Sequence, residues 1–405
     1  MADSFNLPKE IILGEGALAK LGEVAREIQS NHLFIITGTL MTHENMKDQV
    51  LQSISEHGLK ATFYTHQQGE PNTDHLDNAL YATRNHDADC VVAIGGGSVI
   101  DLAKIVSAFA IHKEMSLDDI PNQKILTRLP LIAIPTTAGT GSEATKVAVI
   151  TESKSNVKKN PAHSSLTPDI AILDPHLTAT LPRNITAYTG MDALAHALEA
   201  YVSTRASTMS DHFALEGVRL IGEFLPKVYQ NQNDLESREQ LLLGSCYAGI
   251  AFSNASTNLA HATARPLGAR FHIPHGLSVA LLLPFVVEFG LEVCEKRYAD
   301  VAKKLGVNKD TQTELAKEVL NIVWQYNSTF SIWSDALKYF DSTRNLEEKV
   351  PILVQDALAG NGIMTNRKIP STSDVEKIYK DLLKTLQTYE EKSKIENENT
   401  DYLKK

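Results

Sequence analysis

The strongest chemical signal lies in the second half of the chain. The segment Gly190-Met191-Asp192-Ala193-Leu194-Ala195-His196-Ala197-Leu198-Glu199 is apolar on nearly every side, which predicts a buried helix. Asp192, His196 and Glu199 stand at i, i+4 and i+7 and so share one face. A buried carboxylate needs a compensating partner, which a metal ion or a plain Asp–His hydrogen bond supplies. A second cluster, LAHATARPLGARFHIPHG, sets His261, His272 and His275 close together, with Arg265 and Arg270 between them. The pattern predicts that His261 comes late in an apolar helix ended by Pro266 and Gly268, with Arg265 on the same face. Asp192, His196, His261 and His275 together offer one carboxylate and three imidazoles. That set suits Fe2+ or Zn2+ and is unlike a thiolate site. Catalytic zinc usually takes three protein ligands and keeps one position open, so four ligands favour Fe2+. His272 reads first as a core or surface histidine, and second as a route for a proton.

A different chemistry is written into the first half. The run Cys90-Val91-Val92-Ala93-Ile94-Gly95-Gly96-Gly97-Ser98-Val99-Ile100-Asp101 reads as a buried strand, a glycine turn and a helix start. Ser98 as N-cap with Asp101 three residues on would make a capping box. Glycines let backbone approach a ligand, and a helix N-terminus offers free N–H groups to a pyrophosphate. The simpler alternative is a tight turn without a ligand, and GxGxxG is absent. A second loop, Pro135-Thr136-Thr137-Ala138-Gly139-Thr140-Gly141-Ser142-Glu143, follows the apolar run Leu131 to Ile134. Its hydroxyls, Thr140 and Ser142 included, suit phosphate and ribose at the carboxyl edge of a sheet. Two such loops point to a nucleotide. Gly38 and Thr39 follow the strand Leu33 to Ile36, where NAD sites often place an acidic residue, and they leave room for a 2′-phosphate.

These groups must be held by two kinds of scaffold. Apolar runs at Leu33 to Ile36, Ala61 to Tyr64, Cys90 to Ile94, Leu131 to Ile134 and Ala171 to Leu173 alternate with amphipathic stretches, which predicts an α/β domain with a parallel sheet. After about Pro182 the segments Thr186 to Thr204, Asp211 to Val228, Ser237 to Phe252 and Thr311 to Phe340 are helix-periodic. The expected division is 1–182, a dinucleotide-binding α/β domain, and 183–405, an all-α metal-binding domain. The charged tail from Glu390 reads as a frayed helix or disordered segment.

Composition excludes several classes. A formal net charge of -10 argues against a nucleic-acid binder. Cys90, Cys246 and Cys294 form no CxxC pair, so neither a disulfide framework nor a zinc knuckle is expected, and a reducing, cytoplasmic setting follows. MADSFNLPKE lacks the basic and apolar regions of a signal peptide. The apolar run Val279 to Val287, broken by Pro284, is too short to span a membrane.

The segments GGGSVID, IPTTAGTGSE, GMDALAHALE and LAHATARPLGARFHIPHG resemble, in order and spacing, the iron-dependent (group III) alcohol dehydrogenases, over roughly residues 5 to 385. The resemblance implies a dehydroquinate synthase-like architecture, with a dinucleotide-binding domain, a helical domain and a site in the cleft between. It implies that Asp192, His196, His261 and His275 hold the metal, and that Gly96, Gly97, Ser98, Asp101, Thr136, Thr137 and Lys158 meet NAD or NADP. It implies hydride transfer between a nicotinamide and a small alcohol or aldehyde, in a homodimer or larger homo-oligomer. Two positions depart from the commonest pattern. Gly38 stands where many members have aspartate. Arg265 stands where many have a second histidine assigned to proton relay, a role arginine cannot take. Arg265 then either binds an anionic group on the substrate or pairs with a carboxylate such as Glu199. Competing readings are a zinc polyol dehydrogenase, a dehydroquinate synthase-like lyase, and a catalytically silent nucleotide- or metal-binding protein.

Overall fold

The computed structural model describes residues 4–38, 44–67, 69–155, 157–340 and 342–402. By its internal contacts the chain forms two units, Met1–Leu181 with Pro226–Ser253, and Pro182–Leu225 with Asn254–Lys405. The division expected from sequence assigned everything after residue 182 to the second domain. The structure returns Pro226–Ser253 to the first.

In the first unit the apolar runs become parallel strands. They are β1 (Glu10–Leu13), β2 (His32–Thr37), β3 (Lys60–Thr65), β4 (Cys90–Gly95) and β5 (Leu131–Pro135). A two-stranded antiparallel ribbon, β6 (Ile150–Glu152) and β7 (Val157–Lys159), precedes β8 (Ile170–Leu173). The six-stranded sheet has the order β1-β8-β5-β4-β2-β3. Strands β2 and β4 are adjacent, but the chain leaves them in opposite directions across the sheet. That switch point opens a crevice beyond their carboxyl ends. Gly38 ends one of these strands and Gly95 the other, with Thr37 paired to Ile94 and Gly95 to Pro135. Thr39 lies outside the described residues. Helices α1 (Leu21–Glu27), α2 (Glu44–Glu56), α3 (Thr73–Asn85) and α4 (Gly97–Phe109) belong to this unit. Its strands β4, β5 and β8 are buried along their whole length, as expected for a parallel sheet covered on both faces.

The later helices are α5 (Arg183–Val202), α6 (Thr208–Gln230), α7 (Leu235–Ala255), α8 (Leu259–Phe271), α9 (His275–Lys304), α10 (Gln312–Thr329), α11 (Ile332–Ala336), α12 (Thr343–Leu358) and α13 (Thr372–Tyr402). The end of α6 and nearly all of α7 fall in the first unit. The periodic stretch from Thr311 to Phe340 is broken at Ser331, which adopts a left-handed conformation between α10 and α11. Helix α13 continues through the charged tail to Tyr402, with Glu390 bonded to Thr343 and Lys394. Helix α9 continues past Pro284 and is kinked at Cys294, whose backbone is non-helical, so it extends well beyond the apolar run. Its length and composition would suit a membrane span, but 67% of its apolar window is buried in the protein, as in a core helix. Helix α5 is buried from Gly190 to Val202, so the face bearing Asp192 and His196 is interior.

Candidate functional site

The glycine loop of the first unit differs from the expected capping box. Helix α4 begins at Gly97, its N-cap is Gly96, and no side chain caps it. Asp101 is committed elsewhere. It accepts hydrogen bonds from Ser142 Oγ and from the Val149 N–H, the latter at 2.9 Å. The Gly97 and Ser98 amides at the start of α4 are thereby left for another acceptor, the condition for binding a phosphate. A Cβ on Gly97 would lie 2.7 Å from Thr140 Cγ2, and one on Gly96 would lie 3.4 Å from Thr137 Cγ2. The two loops therefore press together, most tightly at Gly97, where a larger residue would displace Thr140. Thr136 Oγ1 is buried without a protein partner, whereas Thr140 Oγ1 accepts from the Ser142 N–H at 3.2 Å. Ser98 and Gly38 are partly exposed at strand and helix ends.

Two supports of this loop escaped the sequence reading. Lys104 is fully buried, and its Nζ donates to Ser142 Oγ and Thr145 Oγ1 at 2.8 Å and to the Val147 carbonyl at 2.7 Å. Gly141, at φ 59°, packs so tightly on α7 that a Cβ there would lie 2.5 Å from Gly249 Cα. That contact is one reason the α7 segment belongs to the first unit. Lys158 pairs with Glu70 at 2.5 Å and is partly exposed.

In the second unit, ligand-type atoms of Asp192, His261 and His275 lie within 4.8 Å of one another. Asp192 Oδ1 is 3.3 Å from His261 Nε2 and 3.6 Å from His275 Nε2. His196 stands beside this trio, its ring stacked on that of His261 with centroids 4.3 Å apart. His275 opens α9 after Pro274. The next residue must be glycine, because a Cβ on Gly276 would lie 2.3 Å from the Tyr188 carbonyl oxygen of α5.

Glu199 organises the centre. Its Oε1 accepts from the Ala260 and His261 N–H groups at 2.6 and 3.3 Å, capping the start of α8. Its Oε2 takes His261 Nδ1 at 2.5 Å. Glu199 therefore pairs with His261, and the suggested ion pair with Arg265 does not form. Once Nδ1–H points at Glu199, Nε2 carries a lone pair. Buried Asp192 Oδ1 and His261 Nε2 then face each other with no hydrogen-bond partner among the described residues. Two acceptors at that distance require a cation between them. A proton on Nε2 meets that need when no ion is bound, and the titration tendencies reflect it. Burial pulls His261 down, but Glu199 and Asp192 push it up to about 9. Burial raises Asp192, and the surrounding histidines outweigh this and hold it well below the usual carboxylate range. His196 is lowered to about 3 by burial and stays a neutral ligand-type imidazole. The donor set fits a divalent ion.

Helix α8 corrects a further expectation. His261 lies in its first turn, and the helix continues past Pro266 and Gly268 to Phe271. Gly268 serves close packing instead, since a Cβ there would come within 3.0 Å of Ser278 Oγ. The helix stops at His272, whose backbone is left-handed at φ 54° and whose side chain is exposed. His272 is outside the trio of ligand atoms. Arg265 remains one turn from His261 on α8 and is partly buried. Burial lowers its pKa against the pull of Glu199 and Asp192.

Comparison with known proteins matches both halves of the chain to one family. The iron-containing alcohol dehydrogenase profile covers residues 8–175, and the C-terminal profile of the Fe-containing alcohol dehydrogenase family covers 186–383. The probable alcohol dehydrogenase EutG of Escherichia coli is 39% identical over 321 residues, 79% of this chain and 81% of its own. The NADPH-dependent butanol dehydrogenase of Clostridium saccharobutylicum is 33% identical over 379 residues, 93% of this chain and 96% of its own. The crystal structure of a 1,3-propanediol oxidoreductase superposes with a TM-score of 0.88 at 28% identity, covering 94% of this chain and all of that one. The glycine and threonine loops of the first unit and the carboxylate–imidazole centre of the second thus belong to a member of the iron-containing alcohol dehydrogenase family.

Proposed function

We propose that the protein is an Fe2+-dependent dehydrogenase and reductase of small alcohols and aldehydes that accepts NADP(H) as well as NAD(H). Asp192, His196, His261 and His275 hold the ion in this reading. The observation that carries it is the buried pair of acceptors, Asp192 Oδ1 and His261 Nε2, facing each other at 3.3 Å. An ion there supplies Lewis acidity toward an alcohol or carbonyl oxygen, and a nicotinamide supplies or takes the hydride. The chain's own work is positional. Glu199 fixes the His261 tautomer and ring. Gly276 lets His275 approach α5. The bare N-terminus of α4, Gly96, Gly97, Ser98, Thr136 and Thr137 receive the cofactor phosphates and ribose. Asp101 and Ser142 brace that loop, and Thr140 packs it. Lys158, drawn to Glu70 in the structure, meets the cofactor from the ribbon.

Four protein ligands favour Fe2+ over Zn2+, since catalytic zinc sites usually keep one of four positions open. Gly38 at the end of β2 adds neither charge nor bulk against a 2′-phosphate, which supports NADP tolerance. Arg265 stays protonated at any working pH and exchanges no proton. The proton therefore passes through a water chain, a cofactor ribose hydroxyl or His272, which is exposed at the end of α8. Three buried free cysteines suit a reducing cytoplasm. A homodimer or larger homo-oligomer is the expected assembly.

The test is metal analysis of purified protein, then NADH and NADPH oxidation with a short aldehyde under anaerobic conditions, with and without chelator. Iron near one equivalent and chelator-sensitive turnover with both cofactors are expected. Metal-free protein that turns over unchanged would overturn the assignment.

A further inference from the structure

Arg265 has no task in the site as described so far. It lies four residues after His261 on α8, so the two side chains project from the same face about 5–6 Å apart at Cβ. Its side chain is partly buried, yet among the described residues no hydrogen bond or ion pair engages the guanidinium. The nearby carboxylates are engaged with other groups. Glu199 serves Ala260, His261 N–H and His261 Nδ1, and Asp192 turns Oδ1 toward His261 and His275. Other arginines of this unit find partners. Arg270, on the same helix, pairs with Asp356. Arg297 pairs with Asp211, and Arg367 donates to the carbonyls of Val202 and Ser203. Glu199 and Asp192 attract the guanidinium only from a distance; a partly desolvated cation with no partner in contact is costly, and a site that keeps one beside its reacting centre can take an anion.

We propose that Arg265 anchors the anionic end of the substrate, so that the enzyme prefers short aldehydes and alcohols bearing a carboxylate, sulfonate or phosphonate. This rests on the reading of the centre as an alcohol and aldehyde site. A planar guanidinium takes such groups through two parallel hydrogen bonds, which a lysine does not reproduce. One helical turn, about 5 Å, separates Arg265 from His261 along α8. A chain of about two to four carbons spans that interval, with its carbonyl at the metal ligands and its anion at the fork.

Steady-state reduction of 4-oxobutanoate and of butanal by wild type, Arg265→Met and Arg265→Lys separates the possibilities, with KM for NADPH measured in parallel. Wild type should favour 4-oxobutanoate. In Arg265→Met the ratio of kcat/KM for the acid over the neutral aldehyde should fall roughly 10- to 150-fold, the usual worth of a hydrogen bond to a charged group. Arg265→Lys should recover only part of that ratio. Titration calorimetry of the full-length protein as purified, with propane-1-sulfonate as probe, should show binding to wild type and none to Arg265→Met. An unchanged ratio, a defect confined to KM for NADPH, or equal sulfonate binding by both proteins overturns the proposal. Absence of turnover with either aldehyde, with sulfonate binding intact, would refute the assigned activity and leave the anion site standing.

Discussion

Two buried clusters of charge divide the labour in this molecule. In the first unit, Lys104 donates its three ammonium protons to Ser142, Thr145 and Val147, with Asp101 at 3.5 Å. Every proton of the ammonium has an acceptor, and protein atoms alone close it off. In the second unit, Glu199 is satisfied, but Asp192 Oδ1 and His261 Nε2 are left confronting each other. Both clusters contain buried ionised groups, so burial and charge alone do not separate a scaffold from a site. What separates them is closure. A network completed by protein atoms sets shape, and one left incomplete waits for something from outside.

Replacing His261 by Ala attacks the open cluster. It should abolish metal retention and lower kcat/KM by about 10^3-fold or more, since a Lewis-acid ion supplies several kcal/mol. Elemental analysis beside kinetics checks this, and retained metal would remove the distinction. Lys104→Met attacks the closed cluster. It removes the three bonds to Ser142, Thr145 and the Val147 carbonyl and leaves partly buried Asp101 without its cation, and should cost about 3–5 kcal/mol of stability in denaturant unfolding. Metal content of the folded fraction should not change; its loss would show that the clusters are not independent.

Glu143 sharpens the comparison through pH. Burial raises its carboxyl from 4.5 to about 7, against the pull of Lys104. The unfolded chain releases that proton near 4.5, while the folded chain holds it to about 7. The stabilisation is whole below pH 4.5 and is lost as pH climbs to about 7, by at most about 3 kcal/mol. Glu143→Gln should flatten this slope in urea unfolding between pH 5 and 7; an unaltered slope would clear Glu143. The smallest effect is expected for Glu199→Gln. It weakens the support of His261 without removing a ligand, and should reduce metal affinity about 10- to 100-fold in a chelator competition.

Strands β2, β4, β5 and β8 were legible because each is a short run apolar on both faces, bounded by polar or glycine residues. The edge strand Glu10–Leu13 and the ribbon β6–β7 were not seen, since these three- and four-residue segments acquire meaning only beside their partners. The residues of the candidate metal centre stand out by type, because Asp192 and His196 interrupt an otherwise apolar helix. The position of His261 was misjudged. Pro266 and Gly268 are ordinary stop signals, and here packing against Ser278 and Ile273 overrides them. The roles of Lys104 and Glu199 were hidden for one reason: their partners lie about 40 and 60 residues away. Local periodicity carries no trace of such pairings.

Glu199 also links the start of a helix to the state of the centre. The amides of Ala260 and His261 are protected by the same carboxylate that steadies the His261 ring. Their exchange with deuterated solvent is therefore a clock on the site. When the ion leaves and the ring relaxes, the first turn of α8 should open more often, before any global unfolding. Two backbone protons, read by mass or resonance, would report occupancy without a substrate, a cofactor or a colour change.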